Sequence, residues 1–246
     1  MIIDILTILP QVFDKVFDES ILGAARKNGL IDIHIHNLRE FGEGRHKVLD
    51  DSPFGGGPGM VMKADPMARA LADIRTRAPG APVIGLTPQG TPLNQEILKE
   101  LVRLPRLVLV CGRYEGFDDR ILSGFDAEIS LGDYVISGGE FAAMVMVDGL
   151  SRLIPGTVGR MESVEQDSFY QGRLDHPQFT RPACWQQREV PAPLTAGNHR
   201  EIESWRLRSS LMRTAIRRPD LLFRLPLASE DREAFQDAVR APDVVW

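Results

Sequence analysis

Along the first 154 residues, short runs of Ile, Leu and Val alternate with stretches whose apolar positions recur at helical spacing. Strands are predicted at residues 2–9, 31–38, 83–87, 107–111 and 127–131, each rich in Ile, Leu or Val and bounded by Gly, Pro or Asp. Helices are predicted at 11–28, 65–77, 93–104, 118–125 and 140–153. Such alternation implies βαβ units and a mostly parallel sheet covered on both faces. Ligands of such sheets gather beyond the carboxyl ends of the strands. The turns that follow strands are therefore where chemistry is sought.

The pattern changes after Ile154. Residues 155–194 are polar, rich in proline and without clear periodicity, which suits a linker and an irregular surface segment. Helical spacing returns at 198–218, where Ile202, Trp205, Leu207, Leu211, Met212, Ala215 and Ile216 form one apolar side. Asn198 is the expected N-cap of that helix and Pro219 its end. A last helix is predicted at 229–240, although Ser229 and Arg232 do not complete a capping box. No internal repeat is present.

Composition narrows the class. A chain of 246 residues can bury a real core, and 43% hydrophobic with 26% charged residues is ordinary for a soluble globular protein. No apolar run approaches the roughly 20 residues of a membrane span. The opening Met1-Ile2-Ile3-Asp4-Ile5-Leu6 lacks the basic leader and small-residue cleavage site of a signal peptide, and reads as a strand of the fold. Cys111 and Cys184 are read as free thiols, so a cytoplasmic protein with no membrane partner is expected.

A net charge of −5 argues against indiscriminate nucleic-acid binding, but charge is unevenly placed. Between Arg173 and Arg218 nine arginines face four acids. A basic face of this kind is the footprint of a phosphate-bearing partner. The competing explanation is a general preference for arginine, since the chain has 24 Arg against 5 Lys. Charge alone leaves both open.

Three glycine-bearing turns leave three strands, at one edge of the predicted sheet: Pro88-Gln89-Gly90, Gly112-Arg113-Tyr114-Glu115-Gly116, and the run from Gly132 to Glu140. Glycine lets backbone groups come close to a ligand, yet any one such turn is ordinary. Three together, with Glu115, Asp133 and Glu140 near them to favour a cation, carry more weight. The absence of Gly-Lys-Ser/Thr excludes a Walker-type phosphate loop. No Gly-x-Gly-x-x-Gly opens a helix after the first strand, which argues against a Rossmann dinucleotide site. The glycines of Gly55-Gly56-Gly57-Pro58-Gly59-Met60 are not followed by a lysine placed for phosphates.

These turns, in this order, together with Asp50-Asp51-Ser52-Pro53-Phe54-Gly55-Gly56-Gly57-Pro58-Gly59-Met60 and Asp167-Ser168-Phe169, resemble the bacterial tRNA (guanine-N1)-methyltransferase (TrmD) family of the SPOUT class. The resemblance continues through Thr180-Arg181-Pro182, Gly197-Asn198-His199-Arg200-Glu201-Ile202 and Trp205-Arg206. It implies an α/β fold with a SPOUT-type parallel sheet, a deep trefoil knot and a small helical C-terminal domain, against the general rule that chains are unknotted. It implies a cofactor-binding knot domain at 1–160, a linker at 161–175 and a helical tRNA-binding domain at 176–246. A homodimer with sites at its interface is also implied.

By that resemblance S-adenosylmethionine is held by Gly112, Leu131, Gly132, Asp133, Tyr134, Val135 and Ile136, with Pro88, Gln89, Gly90 and Gly139 close by. Glu115 either holds the donor or a metal, or fixes its loop. The acceptor is the guanosine immediately 3′ of the anticodon, so the anticodon stem-loop of tRNA is the partner. Mg2+ is an expected accompaniment, with no ligand set assigned. Guanine N1 carries a proton and is a poor nucleophile until it leaves, so a positioned base is required. Charge that grows on O6 calls for a cationic donor. The matching residues are Asp167 as base and Arg152 as cation. From the residues alone, Asp167 is an ordinary cap or loop aspartate and Arg152 a helix-end arginine. RNA contacts are assigned to Arg181, Asn198, His199 and Arg206, and to Asp50, Gly57 and Gly59 of the glycine loop.

Other residues invite chemistry less strongly. His34 and His36 share one side of a strand and are compatible with a metal, but no third ligand is evident in the sequence and a half-exposed strand face is preferred. Cys111 reads as a small buried apolar residue, and Trp185 and Trp205 as either packing or base-stacking groups. Gly172-Arg173-Leu174-Asp175 departs from the family in placing an arginine where an apolar residue is common. Two other readings stand beside the first: a SPOUT relative acting at another RNA position, and an RNA-binding protein on a degenerate methyltransferase scaffold.

Overall fold

The computed structural model describes residues 1–240. The chain divides into two compact units, Met1–Met161 and Glu162–Trp246. The last six residues of the predicted C-terminal domain, 241–246, lie outside the described residues.

In the first unit the elements run β1 (Ile2–Thr7), α1 (Ser20–Lys27), β2 (Asp32–Asn37), β3 (Asp50–Asp51), β4 (Val61–Met62), α2 (Ala64–Arg77), β5 (Val83–Pro92), α3 (Gln95–Leu101), β6 (Arg106–Cys111), β7 (Ala127–Ser130) and α4 (Gly139–Leu153). Five strands form one parallel sheet in the order β2-β1-β6-β5-β7, while β3 and β4 make a separate antiparallel pair. The sheet is buried on both faces, which is why β1 and β6 are almost continuously apolar. Ile3, Ile5, Leu107 and Leu109 are fully buried. Leu6, Val108 and Val110 belong to a buried cluster with Met67, Leu71 and Ile74 of α2. The parallel α/β architecture expected from the pattern is present.

Three elements differ from expectation. Residues 11–28 form two 3-10 turns and then α1 instead of one helix, because Lys15 (φ 69°) and Ser20 (φ 56°) adopt left-handed backbone that breaks helical propagation. Residues 118–125 hold a 3-10 turn, Asp119–Gly124, rather than an α-helix. β5 continues past Thr87: after a register break it pairs again with β7 through Thr91↔Ile129 and Pro92↔Ser130.

The second unit contains α5 (Met161–Gln166, beginning at the boundary), β8 (Cys184–Trp185), β9 (Arg188–Glu189), α6 (Ala192–Thr195), α7 (His199–Arg217), α8 (Pro219–Arg224) and α9 (Ser229–Arg240). Several of these fall in the stretch that the sequence left irregular. The predicted cap of α7 is in place: Asn198 accepts from the Arg200 amide at 3.2 Å and donates to Glu201 Oε1 at 2.8 Å. Trp205 is buried, with its ring 6.0 Å from that of His176 and 6.2 Å from that of Phe179. It packs the unit, whereas Trp185 is exposed. α7 also pins the preceding chain: Leu174 donates to Thr214 Oγ1 at 3.0 Å, and Ser210 donates back to Leu174 O.

Candidate active site

The carboxyl ends of β5, β6 and β7 open on one cleft of about 370 Å³. All three predicted turns contribute to it: Pro88 and Gln89 after the first half of β5, Gly112 and Glu115 after β6, and Leu131, Gly132, Tyr134, Val135, Ile136 and Gly139 after β7. The volume is in the range of small-molecule sites. Gly139 shows why one of these glycines is there. A Cβ at Gly139 would stand 2.8 Å from Cys111 Cα and 2.9 Å from the Gly112 amide nitrogen, so α4 can begin against the end of β6 only without a side chain. The Gly139 amide then donates to Gly112 O at 2.8 Å, tying two of the turns together.

Two predicted residues adjoin lining residues without lining the cleft themselves. Asp133 is exposed and outside the cleft lining. Gly90 is also outside it, and a Cβ there would lie 2.4 Å from the Ile129 amide nitrogen; its smallness serves the β5–β7 approach. The expectation that Glu140 leaves an acidic charge available to a cation is corrected too. Glu140 is fully buried at the start of α4, accepting from Thr7 Oγ1 at 2.7 Å and from Arg113 Nε at 3.0 Å. Its charge is spent on Arg113, the residue that follows Gly112.

The glycine loop assigned to RNA lies against the same cleft. Glu115 donates its amide to Met60 O at 2.9 Å, and Met62 donates to Gly116 O at 2.9 Å, so the segment is stitched to the turn after β6. Gly59, at φ +89°, sits so close that a Cβ would meet Glu115 Oε1 at 2.1 Å. Asp50 pairs with Met62 across β3–β4, and Gly57 is exposed. The cleft carboxylate Glu115 and the glycine loop therefore form one surface.

In the second unit, Asp167 follows α5 and is exposed in a cavity of about 260 Å³ with Glu165, Arg173, His176, Glu203 and Arg206 around it. The turn behind Asp167 is closely held: Phe169 (φ 75°) donates its amide to Arg173 O at 2.8 Å, and the Asp175 amide donates to Ser168 Oγ at 2.9 Å. Arg173, the departure from the family pattern, pairs with Asp231 of α9 at 3.3 Å and donates to Gln171 Oε1 at 2.7 Å. Arg152 lies in the first unit, in the last turn of α4, beside Asp148 and Phe17. Arg181, Asn198 and His199 are exposed on the second unit.

Comparison with known proteins gives the geometry a family. The family described as "tRNA (Guanine-1)-methyltransferase TrmD" matches residues 1–224. The chain belongs to this family. Proteins named tRNA (guanine-N(1)-)-methyltransferase are close in sequence: that of Syntrophotalea carbinolica is 49% identical over 243 residues, covering 99% of this chain and 98% of the relative. The protein of Geotalea uraniireducens is 49% identical over 238 residues, 96% of each chain, and that of Shewanella oneidensis 47% over 245 residues, 99% of each. No described helix is long and apolar enough to cross a membrane.

Within this TrmD-family chain, sequence reasoning passed over several residues that line the cleft. Arg113 and Tyr114 sat inside a turn already singled out. Phe117 lies beneath Gly112, and Asp119 and Leu122 arrive on the 3-10 turn. Asp119 and Leu122 lie within the helix predicted at 118–125, whose spacing gives no sign that they face the cleft; the β4 contact that positions Phe117, a parallel bridge to Met62, is long-range.

Proposed function

We propose that this chain transfers the methyl group of S-adenosylmethionine to N1 of the tRNA guanosine immediately 3′ of the anticodon. The observation that carries the reading is the convergence of three strand-end turns on one cleft in a chain of the TrmD family. A methyltransferase of this family implies S-adenosylmethionine as donor, and it supplies an electrophilic methyl on a sulfonium that needs alignment more than activation. The cleft suits it: backbone lining the cleft at Gly112, Leu131 and Gly132 can read adenine, and Glu115 offers a carboxylate to the cationic end.

The protein's own part is proton removal and charge stabilisation. Asp167 takes the proton from N1 as the N1 lone pair forms its bond to the methyl carbon and the carbon–sulfur bond breaks toward sulfur. Arg152 donates to O6, where negative charge gathers as the proton leaves. Exposed Arg181, His199 and Arg206, with the glycine loop, hold the anticodon stem-loop, whose unpaired bases are easily turned out of their stack. Asn198 joins them only through the part of its amide that the α7 cap leaves accessible. The proposal includes the trefoil knot around the cleft, a helical tRNA-binding domain at 176–246 after a linker at 161–175, a homodimer whose sites use both chains, and a cytoplasmic setting. Mg2+ would be held by cleft carboxylates, of which Glu115 and Asp119 are two.

The test is to incubate purified protein with labelled S-adenosylmethionine and an unmodified tRNA transcript and to map the labelled nucleoside. 1-Methylguanosine 3′ of the anticodon supports the reading; label at another nucleotide assigns a different SPOUT activity, and no label with bound tRNA assigns a binding protein.

A further inference from the structure

The fold assembles a group outside the cleft lining that takes no part in the proposed reaction. Parallel pairing of β1 with β2 sets Asp4 opposite His34, and strand alternation brings His36 to the same face. Asp4 is fully buried in β1, His36 is 18% exposed and His34 42% exposed at the edge of the sheet. Asp4 Oδ1 is 2.7 Å from His36 Nε2 and 3.5 Å from His34 Nδ1, and one donor atom from each of the three residues lies within 4.8 Å of the others.

We propose that Asp4, His34 and His36 bind a divalent cation of the zinc class, through one carboxylate oxygen and two imidazole nitrogens, with water completing the shell. Zinc takes such ligands at about 2.0–2.2 Å, which places neighbouring donors of a tetrahedron roughly 3.3 Å apart. The observed 2.7 and 3.5 Å from Asp4 bracket that value, and the two imidazoles, within 4.8 Å of each other, would have to draw in to reach it. The surroundings orient the ligands as metal sites require. His34 Nε2 meets Asp32 Oδ2 at 2.9 Å; a proton held there leaves the Nδ1 lone pair facing Asp4. Arg106 clamps the Asp4 carboxylate from the other side, with Nε 2.7 Å from Oδ2 and Nη2 3.0 Å from Oδ1. The Arg106 charge opposes a cation, but Asp4 and Asp32 together outweigh it. Exposed His34 gives an ion its path from solvent, and two nitrogen donors select against Mg2+. Without an ion, His36 donates directly to Asp4, and the trio is an ion-pair network; the experiment separates the two.

Full-length protein freed of metal with EDTA is titrated with ZnCl2 and, separately, MgCl2 by calorimetry, in the Cys184→Ser background to remove the exposed thiol. The proposal expects one zinc site per chain, no magnesium heat at these residues, and affinity about tenfold or more weaker in both His34→Ala and His36→Ala. His34→Ala alters an exposed side chain, so its fold, checked by circular dichroism, keeps the test decisive if His36→Ala fails to fold. Zinc binding absent from Cys184→Ser, or unchanged by the histidine substitutions, overturns the site.

Discussion

Buried Glu140 and half-buried Arg113 form an ion pair at the cleft wall: Arg113 Nε donates to Glu140 Oε2 at 3.0 Å, while the other carboxylate oxygen accepts from Thr7 Oγ1 at 2.7 Å. One carboxylate thus connects β1, the start of α4 and the turn after β6. The turn that lines the cleft is thus tied to β1 and α4 through the buried Glu140 carboxylate, with Arg113 itself at the cleft wall.

Removing that carboxylate strands the Arg113 guanidinium. Breaking a fully buried pair in this way costs about 3 kcal/mol, and the partial exposure of Arg113 lowers the cost to about 1–2 kcal/mol. Glu140→Ala is expected to lower the urea midpoint and to weaken S-adenosylmethionine binding together, whereas Glu140→Gln, which can still accept from Thr7, loses less of both. Equilibrium unfolding and calorimetry on the two variants check the order.

Gly139→Ala places a methyl into a gap closed by the backbone of Cys111 and Gly112. Overpacking of this kind costs about 1–3 kcal/mol. Because the contact is with the cleft turn itself, donor affinity is expected to fall more than stability, as read by comparing the binding constant with the thermal midpoint.

Burial alone would raise the Asp4 carboxyl, but hydrogen bonds from His36 and Arg106 and the Arg106 charge outweigh it and hold it well below the usual carboxylate range. Since the unfolded carboxyl titrates near ~3.9, Asp4 contributes its full stability above that value and loses it progressively as pH falls below it. Asp4→Asn is expected to be less stable than wild type at pH 7, with a deficit that shrinks below about pH 4. Urea midpoints between neutral and acid pH, measured in EDTA, follow the difference.

Arg206 lines the Asp167 cavity from α7, with its side chain exposed. If it meets phosphate, Arg206→Ala weakens tRNA binding at every sequence and lowers the dependence of log affinity on log salt by roughly one. Equal affinity of mutant and wild type across several salt concentrations contradicts a role in RNA binding.

β1, the first half of β5 and β6 were legible because buried parallel strands are runs of Ile, Leu and Val, and β2 because Ile alternates with His along a half-exposed edge. The second half of β5 was not, since Pro88-Gln89-Gly90 reads locally as a turn and only pairing with Ile129 and Ser130 continues it as a strand. The cleft turns could be found from glycine after strands, yet Gly90 owes its identity to the backbone of β7. Partners distant in sequence were beyond local reading: Thr7 and Glu140 are 133 residues apart, and Asp4 joins His34 and His36 only through the β1–β2 register. The N-cap at Asn198 was visible because capping is local.

Single-turnover methylation by Asp167→Asn, with enzyme and donor in excess over tRNA, tests most directly the proposed role of Asp167 as acceptor of the N1 proton. The predicted result is a rate lower by about 100-fold or more with S-adenosylmethionine and tRNA affinities near those of wild type. A rate within a few-fold of wild type contradicts it.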